Sequence, residues 1–254
     1  MARIRTVLLE AVLGAAGLVL FVQAVLFMKI GLMTSFDPSI TSFMRDQQVS
    51  LARDDAPVPL AKGRRVDAKR GAPSGPVAIN RQWVDYDHIS RNIKRAVIAS
   101  EDANFAEHSG IDIDALERAY ERNQRRGKVV AGGSTITQQL AKNLFLSGSR
   151  NYARKAEEFV VTFMLEFWLS KQRIYEIYLN VVEWGVGTFG IEAASRHYYG
   201  VGADRLGPEQ AARLAAMLPN PRFFDRNPGS RGLAWKTNLI LTRMGAAQLP
   251  DASR

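Results

Sequence analysis

Eighteen consecutive residues, Ala11–Met28, carry no charge, and Gln23 is the one polar side chain among them. A helix of that length spans roughly 27 Å, against a hydrocarbon core of about 30 Å. The apolar character reaches back to Val7 past Glu10 and on to Met33 past Lys29. The pattern predicts a signal-anchor helix crossing a membrane over residues 7–33. Arg3 and Arg5 precede it, and the excess of cations leaves the short end, residues 1–6, in the cytoplasm and the rest of the chain outside. Two blander readings stand beside it: a cleaved signal peptide, with Val22-Gln23-Ala24 as the site, and a buried core helix. No second run of this kind follows, so the expectation is a single-pass protein with one outer domain.

Residues 34–78 lose periodicity. Pro38, Pro57, Pro59, Pro73 and Pro76 fall there with Gly63, Gly71 and Gly75, which predicts a juxtamembrane segment and linker. Its basic cluster, Lys62, Arg64, Arg65, Lys69 and Arg70, suits lipid headgroups or plain solvation. The outer domain is expected over 79–250. The formal charge is +9, from 34 basic and 25 acidic residues spread along the chain. There is no packed arm of lysine and arginine like a nucleic-acid tail, and the diffuse surplus suits several anions, nucleic acid, phospholipid headgroups or a phosphorylated substrate, between which the amino terminus decides. Cysteine is absent and histidine occurs three times. That excludes disulfide scaffolds, thiolate metal sites and a cysteine nucleophile.

Beyond a short extended lead-in over Val77–Tyr86, the helical period dominates and the domain reads as mainly α. Ile93, Ala96, Val97 and Ser100 share a face that ends at Glu101. A second helix should start at Asp112 or Asp114 and stop before Gly127. Ser134 is the expected N-cap of a third, carrying Ile136, Leu140 and Leu144. A long helix follows, with Phe159, Val160, Phe163 and Phe167 at core spacing. Further helices are expected near 172–180, 193–199, 209–218 and 233–244.

Three constellations bear chemistry. Glu101 and Asp102 close an apolar helix shortly before His108 and Gly110; adjacent carboxylates with some burial suit a general base, while an exposed helix end is the bland reading. His108 reads as a structural hydrogen-bonding group, and Asp112 with Asp114 as capping rather than metal binding. Gly132 and Gly133 then precede a helix whose Ser134, Gln138, Gln139 and Lys142 could grip sugar and phosphate, or merely form a solvated face. Finally, Arg150, Arg154 and Glu158 stand four apart, with Lys155 beside them. A row of like charges is unfavourable unless an anion or internal salt bridges offset it, and arginine suits phosphate.

The runs RAVIASEDANFAEHSGID, GGSTITQQLAKNLFL, RKAEE, KQRIYEIYLNVVEWGVGTFGIEAASRHYYG and ARLAAMLPNPRFFDRNP resemble, in order, the five signatures of the peptidoglycan glycosyltransferases, glycosyltransferase family 51. Tyr175 stands where the fourth signature usually has leucine, and Arg213 interrupts an apolar part of the fifth. No Ser-x-x-Lys or Lys-Thr-Gly occurs, as in the monofunctional, anchored form without a penicillin-binding domain. The resemblance implies a lysozyme-like, mainly α domain with a small membrane-facing jaw around residues 115–150, where Phe145 and Leu146 are candidates to dip into lipid, with packing against the jaw as the bland reading. It implies polymerisation of lipid II: attack of a GlcNAc 4-hydroxyl on MurNAc C1, inversion, and release of undecaprenyl pyrophosphate. Glu101 would be the catalytic base and Glu158 the second catalytic carboxylate. Lys142 and Arg150 would neutralise the pyrophosphate, with Arg154 and Lys155 in support, and Ser134, Gln138 and Gln139 would hold sugar or phosphate. No cofactor is required and no metal-ligand set stands out, though a divalent cation, Mg or Mn, could sit at the pyrophosphate. The implied partners are lipid II, the growing strand and the bilayer, with division or elongation proteins as further candidates and no nucleic acid. The implied location is the inner membrane, with the catalytic domain periplasmic. A glycan-cleaving, lysozyme-like enzyme and a non-enzymatic anchored scaffold are the alternatives.

Overall fold

The computed structural model describes residues 2–52, 79–128, 132–146 and 152–251. Its helices are α1 (Ala2–Leu32), α2 (Ser42–Ala52), α3 (Arg91–Glu101), α4 (Ile113–Arg126), α5 (Ile136–Phe145), α6 (Tyr152–Trp168), α7 (Lys171–Val181), α8 (Ile191–Tyr199), α9 (Pro208–Met217), α10 (Pro221–Arg226) and α11 (Arg231–Arg243). Three short strands, β1 (Asn80–Arg81), β2 (Glu183–Gly185) and β3 (Thr188–Phe189), form one sheet in the order β1-β3-β2. β1 runs parallel to β3, and β2 antiparallel to it. The architecture is mainly α, as expected, and the lead-in over Val77–Tyr86 supplies the edge strand of the sheet.

Local chemistry sets the helix limits that matter. Ser90 caps α3 by accepting from Asn92 N at 3.2 Å, and Ile93, Ala96 and Val97 turn inward. Asp112 caps α4 through Ala115 N at 2.7 Å, and Gly127 ends it in the left-handed region at φ 62°. The cap of α5 is Thr135, not Ser134. Thr135 Oγ1 accepts from Gln138 N, and Gln138 Oε1 accepts from Thr135 N, a reciprocal box that satisfies two otherwise orphaned donors. Gly110 is left-handed at φ 86°, and a Cβ there would lie 2.7 Å from Thr162 Cγ2, so only glycine lets the loop after α3 lie against α6.

α11 packs on α9 and α3, and α5 on α6 and α7. The core runs through Ile98, Phe105, Leu140, Leu165, Tyr178 and Trp184, all fully buried. The face expected for α6 is corrected. Val161, Thr162 and Leu165 turn inward, while Val160, Phe163 and Phe167 point outward with 43%, 54% and 60% exposure. Leu146 is buried and Phe145 lies under the Lys29 ammonium, so Leu146 does not face lipid. Tyr175 is accommodated by a hydrogen bond from its hydroxyl to Lys94 O at 2.5 Å, and Arg213 donates to Pro228 O.

α1 includes a span, Arg5–Leu32, long and apolar enough to cross a membrane. Its carboxyl end is built into the domain. Ile30 and Met33 are core residues, Phe27 stacks near Phe167 and Trp168, and Gly31 lies flat against the Trp168 ring. Arg173 donates to Met33 O and Phe36 O and pairs with Asp37. α2, within the stretch read as linker, packs Met44 into the core against α5. The basic cluster from Lys62 to Arg70 lies outside the described residues.

Candidate active site

α3 ends on Glu101, leaving its carboxylate at the mouth of a cleft with 10% of the side chain exposed. Ser100 Oγ donates to Oε1 at 3.0 Å and Gln139 Nε2 to Oε2 at 3.2 Å. The Gln139 amide is oriented from both ends, its Nε2 facing the acceptor-only carboxylate and its Oε1 accepting from Tyr178 Oη at 3.0 Å. Burial holds the Tyr178 hydroxyl well above its ordinary pKa, with the Glu101 and Asp102 charges adding to the effect, so the phenol stays a donor. The Lys236 ammonium of α11 lies 3.9 Å from Oε1. Its pKa is lowered by burial, an effect Glu101 opposes.

Asp102 faces the other way. It is buried, accepts from Ile136 N at 2.9 Å and pairs with His108 Nε2 at 2.9 Å. One carboxylate of the pair thus fastens the end of α3 to the start of α5, and the other is left to the cleft. His108 is the structural hydrogen-bonding group the sequence suggested. Asp102, His108 and Asp112 could offer three ligand atoms within 4.8 Å of one another. Hydrogen bonds from Ile136 N, Asn104 Nδ2 and Ala115 N already account for these carboxylates.

Across the cleft, α6 presents Glu158, 4% exposed. Arg154 Nη1 donates to its Oε2 at 3.1 Å and Lys155 Nζ to its Oε1. The carboxylate neutralises part of the charge of two cations and fixes where they sit. Glu101, Ser134, Gln138, Gln139, Lys142, Arg154, Lys155 and Glu158 all line one cleft of about 370 Å³, closed by Leu218 and Pro219. The structure therefore gathers every candidate site residue except Arg150, which lies outside the described residues. Gln138 is more constrained than expected: it is buried, and its Oε1 is engaged in the α5 cap.

Lys236, Tyr178 and Leu218-Pro219 were not singled out from the sequence. The signal for Lys236 was present, since it stands three residues after Leu233 and four before Ile240 on an inward stripe. A larger hollow of about 760 Å³ follows α4 between Arg118, Arg122, Arg125, Arg126 and Lys128, but its one carboxylate, Glu121, is already paired with Arg125. The smaller cleft is the candidate because it opposes a hydrogen-bonded carboxylate to a cluster of fixed cations, a combination suited to deprotonating a hydroxyl while stabilising an anionic leaving group.

Known proteins resemble this chain in sequence. The family described as transglycosylase matches residues 71–245. A protein of Herminiimonas arsenicoxydans named biosynthetic peptidoglycan transglycosylase is 55% identical over 247 residues, 97% of this chain and 99% of its own. One of the same name from Burkholderia multivorans is 49% identical over 242 residues, 95% of this chain and 90% of its own. A third, from Dechloromonas aromatica, is 58% identical over 172 residues, 68% of this chain and 74% of its own. On the family match and on relatives this similar over nearly their whole length, the chain belongs to the transglycosylase family.

Proposed function

We propose that the protein is a peptidoglycan glycosyltransferase that polymerises lipid II for cell-wall synthesis. The observation that carries the reading is one cleft holding Glu101, oriented by Ser100 and Gln139, opposite the Arg154–Glu158–Lys155 group and Lys142. The acceptor's GlcNAc 4-hydroxyl gives its proton to Glu101 as its oxygen attacks MurNAc C1 of the donor strand. The bond from C1 to the pyrophosphate oxygen breaks, that oxygen leaves with the electron pair, and the configuration inverts. Proton removal by a positioned base contributes about 10²–10⁴-fold. Charge develops on the leaving pyrophosphate, where Lys142, Arg154 and Lys155 supply fixed positive charge without reorganising. Glu158 acts by holding two of those cations in place. Both of its oxygens are engaged, so a divalent cation there would take most of its ligands from the substrate's phosphates. Arg150 keeps the role the family resemblance gives it. α1 is the anchor in this reading, crossing the inner membrane with its amino end cytoplasmic and the domain periplasmic beside its lipid-borne substrate.

The test is incubation of the full-length protein in detergent with labelled lipid II, followed by gel separation. A lysozyme-sensitive ladder from the wild type, lost in Glu101→Gln, is the expected result. Shortening of preformed strands without new polymer would instead assign the cleft to cleavage.

A further inference from the structure

Glu101 has one charged neighbour that the transfer just described does not use. Lys236 lies on the inward stripe of α11, between the buried Leu233 and Ile240, and only 25% of its side chain is exposed. Sinking a lysine into such a stripe costs solvation and rotamer freedom, so its position has a physical price that packing alone does not explain. Nζ stands 3.9 Å from Glu101 Oε1, which already accepts from Ser100 Oγ. At that separation the ammonium acts through its field rather than through a hydrogen bond.

The other groups facing Glu101 do not supply that field in the same way. From α5 come the neutral Gln139 and, along the cleft, Lys142. From α6 come Arg154 and Lys155, both bonded to Glu158. α7 contributes Tyr178, a neutral phenol turned to Gln139. Asp102, next in the chain, is engaged by His108 and Ile136 N, and Leu218 and Pro219 are apolar.

We propose that Lys236 is a positioning residue for glycosyl transfer, whose ammonium keeps Glu101 in the carboxylate form needed to accept the hydroxyl proton and thereby sets the acid limb of the polymerisation rate. The proposal rests on Glu101 being the base. Removing an opposite charge favours the protonated carboxyl, so the acid limb of kcat/KM should move to higher pH.

The experiment measures initial rates of labelled lipid II polymerisation by the full-length protein across the acid and neutral range. The variants are Lys236→Met, Lys236→Arg and Lys236→Cys. Because the chain has no other cysteine, the introduced thiol can be aminoethylated selectively, which restores an ammonium in the same folded sample. The expected result is a raised acid limb in Lys236→Met and unmodified Lys236→Cys, with the wild-type limb in Lys236→Arg and after aminoethylation. An unmoved limb in Lys236→Met, or an equal loss at every pH that aminoethylation does not repair, overturns the proposal. Glu101→Gln is run alongside. If it retains wild-type turnover, the base assignment falls and the proposal with it; if it is inactive while the Lys236→Met limb stays put, the proposal alone falls.

Discussion

Replacing Asp102 with alanine should cost the domain more than replacing most surface carboxylates, for reasons that can be counted. The side chain is 2% exposed and serves two buried donors, Ile136 N and His108 Nε2, each at 2.9 Å. Truncation orphans both, at about 1–3 kcal/mol each. It also removes a negative group from the N-terminus of α5, about 0.3–1 kcal/mol more. A loss of about 4 kcal/mol follows from these terms, a drop of roughly 8–16 °C in melting temperature for a domain of this size. Asp102→Asn should cost far less. Its carbonyl still serves Ile136 N, and its amide can meet His108 Nε2 if the imidazole proton moves to Nδ1. That nitrogen is buried without a partner among the described residues, so the asparagine variant should lose about 1–2 kcal/mol. Thermal unfolding followed by circular dichroism in detergent gives the ordering. An alanine variant melting within a few degrees of wild type, or an asparagine variant less stable than alanine, would refute the view that this carboxylate fastens α3 to α5.

Three further outcomes are expected. Arg154→Met should cut lipid II polymerisation by about 10²–10³-fold, as loss of one donor to developing charge does elsewhere; equal kcat in the variant would remove the leaving-group argument. Gly31→Leu should pry α1 from Trp168, because even a Cβ at Gly31 lies 3.2 Å from that ring, and crosslinking between α1 and α6 positions should fall. Tyr86 bears on alkaline stability. Burial raises its hydroxyl from 10.0 to about 12, so the folded state keeps a proton that the unfolded chain loses, and stability should fall as pH rises through that window. Tyr86→Phe should narrow this loss, and parallel alkaline melting curves for the two proteins would count against it.

The sequence carried the helix ends better than the helix faces. Asp112 and Gly127 act locally, so their capping chemistry can be read from neighbours in the chain. α6 was turned the wrong way because it has two apolar stripes. Period alone cannot tell Val161 and Leu165, which meet the core, from Val160, Phe163 and Phe167, which do not. α2 escaped notice because a largely polar helix contributes only a few side chains, Met44 above all, to the interior. The site itself was read from motifs that cluster in sequence. Lys236 comes to Glu101 from 135 positions downstream, through the packing of α11 on α3; its place on an inward stripe is legible locally, its meeting with Glu101 is not.

The junction between α1 and α6 has a mechanical meaning. α6 meets α1 at Trp168 and carries Arg154, Lys155 and Glu158 near its other end, about 20 Å away at the rise of an α-helix. A catalytic domain on a slack tether would tumble above the bilayer and meet its substrate in many orientations. With α1 as the anchor proposed above, α1 would be a bracket and α6 a strut of fixed length, holding the cationic end of the cleft at a set height and azimuth over the membrane. A lipid-borne pyrophosphate gliding in the leaflet would then have two dimensions to search instead of three, and the reach of its own headgroup would have to match the length of the strut.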